Sequence, residues 1–115
     1  MSAAKLANHI RELIAADATL SSLNLGLVNF GIPAKLPAIY IDGIVFDDTI
    51  RTHITFNLCY VTTDLSIEQF DVAQRILEAV QESNALTASS LLPRPEPENK
   101  RNRWMIPCKA YPSRL

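Results

Sequence analysis

Four basic side chains stand close together near the end of the sequence, where they could contact a negatively charged partner: Arg94, Lys100, Arg101 and Arg103. They lie in LLPRPEPENKRNRW, a segment with prolines at alternate positions that ends on Trp104, the sole tryptophan of the chain. The segment suits three roles. It could bind nucleic-acid phosphates with the indole stacked on a base, dock on an acidic surface such as another copy of the chain, or form a solvated loop.

Acids and bases are unevenly distributed along the 115 residues. Residues 1–92 carry five Lys or Arg against ten Asp or Glu, whereas residues 93–115 carry six against two. Residues 93–115 are thus locally basic, and the rest of the chain is acidic. The net charge of −1 gives no general attraction to nucleic acid or membrane. The alternate prolines favour an extended chain, so we predict a mobile, charged loop at about residues 87–102.

The other residues that could take part in a reaction or bind a metal do not form a catalytic pattern. Asp47 and Asp48 are adjacent carboxylates, but DDTIR lacks the oxygen spacing of a calcium loop, and a solvated turn beside Arg51 is the simpler interpretation. His9 and His53 have no nucleophile and acid near them in the local sequence, and three glycines cannot build a phosphate-binding loop. We therefore expect no catalytic residue, no metal site and no cofactor, and a small enzyme is the least favoured function.

The two cysteines and the N-terminal residues indicate a compartment. Cys59 and Cys108 lie in separate apolar stretches without zinc-ligand spacing, which predicts two buried, reduced thiols. Lys5 and Arg11 interrupt the N-terminal apolar residues, so no signal peptide is predicted. No apolar run approaches the roughly 20 residues that span a bilayer. These features predict a protein that is made in the cytoplasm and has no membrane partner.

Hydrophobic periodicity predicts the order helix, strand, strand, strand, helix, strand. Gly43 suggests a bulge or bend in the second strand, and Ser66 is a candidate N-cap of the second helix. Pro107 fits an edge strand or a bulge better than a central strand. Two helices can cover one face of a mostly antiparallel sheet of about four strands, which is an α+β fold. The predicted ranges are about 2–17, 25–31, 38–46, 52–62, 64–83 and 103–111.

The clearest strand is THITFNLCYVT, in which apolar and polar residues alternate. Ile54, Phe56, Leu58 and Tyr60 should form one apolar face. The opposite face is polar but uncharged. It could face a subunit or a water-filled lumen, or it could be an ordinary exposed sheet face.

Four stretches carry a resemblance to a known family: ELIAADATLSSL at the end of the first helix, the proline-flanked strand GIPAKLPAIYID, the long strand HITFNLCYVTTD and the helix SIEQFDVAQRILEAV. In this order they resemble the tail terminator (tail completion) proteins of long-tailed bacteriophages, and the related minor tail and head–tail joining proteins. The resemblance covers residues 1–83 best. It implies a non-enzymatic subunit of a hexameric ring that caps the finished tail tube in the neck region of the virion.

The resemblance also implies partners: further copies of the chain, the tail tube protein, and the head–tail connector or stopper protein. Nucleic acid would only pass through the lumen of the ring. The four basic residues would meet acids of a neighbouring subunit or of the tube protein. The alternative is a small non-enzymatic adaptor domain that binds a peptide or nucleic acid through the basic loop. In the ring interpretation, the candidate acids that would meet the four basic residues are Asp47, Asp48, Asp71, Glu78 and Glu82.

Overall fold

Three α-helices pack on one face of a six-stranded sheet in the computed structural model, whose described residues are 3–23, 25–31, 35–45 and 53–115. The predicted α+β class is confirmed, although the described sheet has six strands rather than about four, and a short helix adds to the two expected. The helices are α1 (Ala3–Ala16), α2 (Ala18–Ser21) and α3 (Glu68–Gln81). The strands are β1 (Gly26–Phe30), β2 (Ala38–Val45), β3 (Ile54–Thr62), β4 (Leu86–Ala88), β5 (Leu92–Glu96) and β6 (Arg101–Ala110).

The strands follow the order β1–β2–β3–β6, and β4 and β5 lie one after the other along the outer edge of β6. β1 runs parallel to β2, and the other described pairs are antiparallel, so the sheet is mixed. The longest ladder joins β3 to β6, from Ile54 opposite Ala110 to Thr62 opposite Asn102. β6 is therefore a central strand, with the hairpin strand β5 on its outer side.

The apolar face of β3 carries the core, as its alternation predicts. Ile54, Phe56, Leu58 and Tyr60 are each at most 5% exposed and pack beneath the helices. Full burial of a side chain of this size stabilises a fold by about 1.5–3 kcal/mol, so this face contributes substantially to stability. The helices add these buried residues: Leu6, Ile10, Leu20, Ala73, Ile76 and Val80.

The opposite face of β3 is only partly the polar surface that the sequence predicts. Thr55 and Asn57 are half-buried there. Cys59 and Val61, further along the strand, are buried in a second apolar cluster with Tyr40 of β2. Because Tyr40 of β2 forms part of this cluster, the alternation of residues within β3 alone does not predict that Cys59 and Val61 are buried there.

The predicted bulge in β2 is confirmed at Gly43. The ladder to β3 shifts register between Asp42 and Val45, where β2 has one residue more than its partner. Gly43 has a φ of +62°, in the left-handed region that side chains disfavour. A Cβ at this position would lie 3.0 Å from the side-chain amide nitrogen of Asn57. The backbone conformation therefore favours glycine here, and a larger residue would also make the Asn57 side chain shift.

Alternate prolines make β5 an edge strand. The prediction of a loop at about residues 87–102 is therefore wrong, because most of this segment forms a β-hairpin. In an antiparallel pair, every second residue directs its backbone N–H toward the partner, and the residues between direct theirs away. Pro93 and Pro95 alternate with the residues that can bond to β6, so their missing N–H groups cost the ladder nothing. An outward edge without these donors also resists pairing with a further strand. The prediction failed because the partner strand follows later in the chain.

Pro107 lies in the central strand β6 and not at the edge that its missing N–H predicts. On one side it stands opposite Asn57 of β3. On the other side the ladder is interrupted, because β4 pairs only as far as Cys108 and β5 begins opposite Met105. The break between β4 and β5 therefore coincides with the residue that has no N–H to donate.

The start of α3 also differs from the prediction, because Ser66 does not cap the helix. Ile67 occupies the N-cap position and no side chain caps it. The backbone N–H of Ser66 donates to the Asp64 carboxylate at 2.9 Å. The Gln69 side chain accepts a hydrogen bond from the Tyr60 hydroxyl and donates to Asp64. These bonds fix the turn before the helix and leave Ile67 on the surface.

An ion pair between the buried Asp17 and the half-buried Arg75 joins the helices at the point where α1 ends. Asp17 caps α2 by accepting from the backbone N–H of Leu20 at 3.0 Å, and its carboxylate is also paired with the Arg75 guanidinium of α3. The hydrogen bond from Arg75 holds the pKa of Asp17 below its usual value. Arg75 also bonds Glu78 at 2.9 Å and lies 3.6 Å from Glu82. The segment that follows Asp17 is thus a short helix anchored to α3.

Asp17→Asn should destabilise the protein at neutral pH and reduce the pH dependence of its stability in acid. The pKa of Asp17 is lower in the folded than in the unfolded chain, so its ion pair stabilises the fold above the unfolded pKa of about 3.9. That contribution is lost as the pH falls through the folded pKa. Urea unfolding followed by tryptophan fluorescence, at neutral pH and near pH 3, should therefore show a difference from wild type that shrinks in acid.

Glu82→Gln is the matched control for this substitution, because Glu82 is an exposed partner of the same arginine. We expect its unfolding midpoint to stay close to that of wild type, as is usual for a surface ion pair. An Asp17→Asn variant as stable as wild type at neutral pH would show that the pair does not anchor the helices.

Candidate interaction site at the β5–β6 hairpin

The basic segment forms a β-hairpin in which β5 and β6 are joined by a one-turn 3-10 helix, Pro97–Asn99. Lys100 closes the turn in the left-handed region with a φ of 52°, and its N–H donates to the Pro97 carbonyl at 3.1 Å. β3 ends at Thr62, opposite Asn102, so the turn extends beyond the end of the neighbouring strand. The hairpin thus presents its tip to solvent.

Two of the four predicted basic residues are paired within the hairpin. The Arg101 guanidinium lies 2.8 Å from a Glu96 carboxylate oxygen, and the Arg103 Nε lies 3.4 Å from the other. Arg103 also donates to the Tyr40 hydroxyl at 3.2 Å. The hydrogen bond from Arg101 is the main cause of the lowered pKa of Glu96, and burial raises the pKa of Tyr40 to about 12. These contacts stiffen the hairpin and attach it to β2.

Arg94 and Lys100 are the exposed cations of the hairpin. Arg94 donates to the carbonyl of Pro93 at 3.4 Å, which places its guanidinium along the outer edge of β5. Neither cation has an acidic partner within the described part of the chain. The four basic residues that the sequence groups together are therefore two pairs, one engaged by the single carboxylate of Glu96 and one free to meet a partner.

The acids that were predicted to pair with these cations across a subunit contact fall into three groups. Asp47 and Asp48 lie outside the described residues. Glu78 and Glu82 are engaged by the arginine of their own helix. Asp71 is exposed near the start of α3. Of the predicted acids that the structure describes, Asp71 is thus the best placed to meet a second molecule.

An exposed apolar surface, which we call the α3 patch, lies at the same end of the sheet as the hairpin. It consists of Leu65 (59% exposed), Ile67 (79%) and Phe70 (40%). These three large apolar side chains are close in sequence, in the turn before α3 and at the start of the helix. Exposed apolar patches of this kind mark contact surfaces. The sequence interpretation missed it, because Ile67 and Phe70 continue the spacing of the buried residues of α3.

Trp104 lies beneath this patch and is not free to stack on a base. It is 8% exposed, and the Phe70 ring stands edge-on to the indole with centroids 5.7 Å apart. The indole N–H has no acceptor among the described residues. The nucleic-acid role suggested by the sequence therefore loses its aromatic component, although the exposed cations remain.

The two histidines make separate structural contacts. The His9 Nε2 lies 2.7 Å from the Ser83 hydroxyl and joins α1 to the end of α3, and the His53 ring lies beside that of Tyr111. In the ranges that the structure describes, no three His, Cys, Asp or Glu side chains are grouped so that they could hold a metal ion. None of the described helices combines the length and apolarity needed to cross a membrane.

Comparison of the sequence with known protein families and with curated proteins finds no match. The fold and the geometry of the hairpin are therefore the observations from which a function can be argued.

Both cysteines are free and buried, as the sequence predicts. Burial raises the pKa of the Cys108 thiol to about 12, and it also raises the pKa of Cys59. The thiolate is the reactive form of cysteine, so both groups are protected by protonation as well as by inaccessibility.

We expect neither thiol to react with an aromatic disulfide reagent in the native protein at mildly alkaline pH. Both should react in guanidinium chloride, where the pKa of each returns toward its ordinary value of about 8.5. Absorbance of the released thiolate counts the reacted groups. Fast modification of either cysteine without denaturant would contradict the buried positions on β3 and β6.

Proposed function

We propose that this chain is a structural subunit of a bacteriophage virion, a ring-forming tail terminator that caps the tail tube and joins it to the head connector. The resemblance of residues 1–83 to tail terminator proteins supports the proposal. So does the fold, in which helices cover one face of a sheet and a charged hairpin projects from its end. The subunit is made in the host cytoplasm and ends in the neck region of the virion.

The observation that carries the proposal is the exposed pair Arg94 and Lys100, on a hairpin whose other cations are paired with Glu96. Exposed cations without an acid of their own favour an acidic partner surface. Residues 1–92 of each copy carry ten acids against five bases and so provide one. Contact between the basic end of one subunit and the acidic body of the next is head-to-tail, and such contacts can close into a ring.

The proposed action is geometric and includes no bond-making step. A ring seated on the last layer of the tube presents a surface on which another layer cannot stack, and it offers the connector or stopper protein a different surface. The hairpin tip reaches a neighbour because it extends past the end of β3. Arg101 and Arg103 take the role of positioning residues, since their ion pairs with Glu96 hold the shape of the tip.

A non-enzymatic adaptor domain is the second candidate, because the same exposed cations could bind an acidic peptide or nucleic acid. Binding of phosphates weakens steeply with salt, by roughly one power of the salt concentration for each phosphate neutralised. Titration of the protein into labelled DNA at increasing salt therefore separates the two candidates. Tight, strongly salt-dependent binding would favour the adaptor.

In the phage or prophage that carries the gene, Arg94→Glu combined with Lys100→Glu should reduce the yield of joined particles about tenfold or more, because like charges would face each other across the subunit contact. The isolated variant should stay folded, since both side chains are exposed. Electron microscopy of lysates counts joined particles, free heads and overlong tails.

Lys109→Glu is the matched control, an exposed cation near the opposite end of β6. It should assemble like wild type. A wild-type particle yield from the double variant would remove the hairpin from the assembly surface. Flanking genes that encode no head or tail proteins would count against the phage assignment itself.

A further inference from the structure

We infer that the free chain pairs with a second copy of itself in a two-fold contact, formed by the end of the molecule that carries the α3 patch and the β5–β6 hairpin. The inference concerns the chain before any assembly, so it goes beyond the proposed ring and does not depend on the virion assignment. It rests on an apolar row whose two ends carry opposite charges.

The apolar row crosses the molecule from α3 to the edge of the sheet. Ile67 and Phe70 lie at the start of α3, and Trp104 lies against Phe70. Pro93 stands opposite Trp104 in the adjacent strand, and both Pro93 and Pro95 are exposed. Aliphatic, aromatic and proline side chains are thus contiguous at one end of the fold. Removal of such a surface from water is the main driving force for association.

Opposite charges flank the two ends of this row. Asp64, Glu68 and Asp71 are exposed on the α3 side, and none of them has a basic partner in the part of the chain that the structure describes. Arg94 and Lys100 are exposed on the hairpin side. Arg94 leaves β5 on the face of Arg103, and its guanidinium reaches the outer edge at the Pro93 carbonyl. The hairpin also carries the acids Glu96 and Glu98 but keeps a net positive charge, whereas the α3 side carries three acids without basic partners.

A two-fold axis through the centre of the row makes this surface complementary to itself. The rotation brings the acids of each copy opposite the cations of the other, and it packs the apolar centre against its own equivalent. Both halves of the surface are then covered with only two chains. A head-to-tail contact through the same residues leaves one half uncovered at each end until a ring closes.

The prolines of β5 exclude one competing mode of association. Because Pro93 and Pro95 direct no N–H outward, this edge cannot continue its sheet into the sheet of a partner. The contact must therefore form through side chains. This agrees with the exposed Arg94, whose guanidinium lies along that edge.

The pair and the ring compete for the same two cations. Arg94 and Lys100 can meet the acids of a two-fold partner or those of a ring neighbour, but not both at once. The pair is therefore the form of the free chain, and closure of a ring on the tail requires its separation.

Trp104 makes the pairing directly observable, because it is the only tryptophan and lies beside the centre of the contact. Sedimentation velocity and tryptophan emission across a dilution series should both report a monomer–dimer equilibrium. Ile67→Ser should weaken the dimer about tenfold or more, as expected for a residue at the centre of an interface. Val45→Ser is the matched control, since Val45 is 56% exposed outside the patch, and it should pair like wild type.

Exchange of the charges tests the symmetry. Glu68→Lys with Asp71→Lys makes both ends of the row basic, and Arg94→Glu with Lys100→Glu makes both ends acidic. Each double variant alone should be monomeric, with a wild-type circular dichroism spectrum, and an equimolar mixture should again form dimers because each end then faces its opposite.

The competing outcomes are distinct. Hexamers in the wild type or in the mixture would show the head-to-tail contact of the ring, and they would overturn the two-fold pair while supporting the proposed function. A wild-type chain that stays monomeric at every concentration would overturn the pair and leave the ring on the tail untouched. Charge variants that each pair as tightly as wild type would show that the contact lies elsewhere.

Discussion

The nine-pair ladder between β3 and β6 is the constraint on which the rest of the structure depends. It sets Trp104 opposite Tyr60, under the start of α3, and it carries β6 past the end of β3 into the hairpin. Because β3 and β6 pair along their full shared length, the hairpin is an extension of the longest ladder in the described sheet. A charged segment held in this way can present a defined surface, which a free loop cannot do without a large loss of conformational entropy.

Two carboxylates then determine which charges remain available at the surface. Asp17 engages Arg75, and Glu96 engages Arg101 and Arg103. A partly buried cation without a partner is costly, so these pairings are part of the fold and are not free for a ligand. Among the charges left without an ion pair in the described residues, the acids that begin α3 and the two exposed cations of the hairpin lie at one end of the molecule.

These leftover charges and the apolar residues between them explain why the chain is best understood through its contacts. The hairpin edge is closed to strand pairing by its prolines, so the surfaces that remain act through side chains. A two-fold pair of free chains and a ring on a tail would use the same cations in different symmetries. The choice between them would depend on whether a neighbour in the ring or a two-fold partner is present at the higher effective concentration.

Local patterns in the sequence determined the main helices and strands, because a helix face and a strand face repeat at short, characteristic intervals. They also indicated the bulge at Gly43, which depends on residue type and immediate neighbours, whereas the burial predicted for Cys59 from its residue type is supplied by Tyr40 of β2. The grouping of four cations near the C-terminus was likewise visible in the sequence.

Only the tertiary structure decided how those cations are used. Glu96 reaches Arg101 and Arg103 because a turn folds β5 back on β6, and Pro107 is tolerated in a central strand because the outer ladder breaks beside it. Ile67 is exposed because hydrogen bonds from residues in β3 and the following turn fix the chain before α3. The physical reason is common to all three. Each depends on how the fold turns the chain and brings side chains or strands together, and the spacing of residues along one segment does not encode that arrangement.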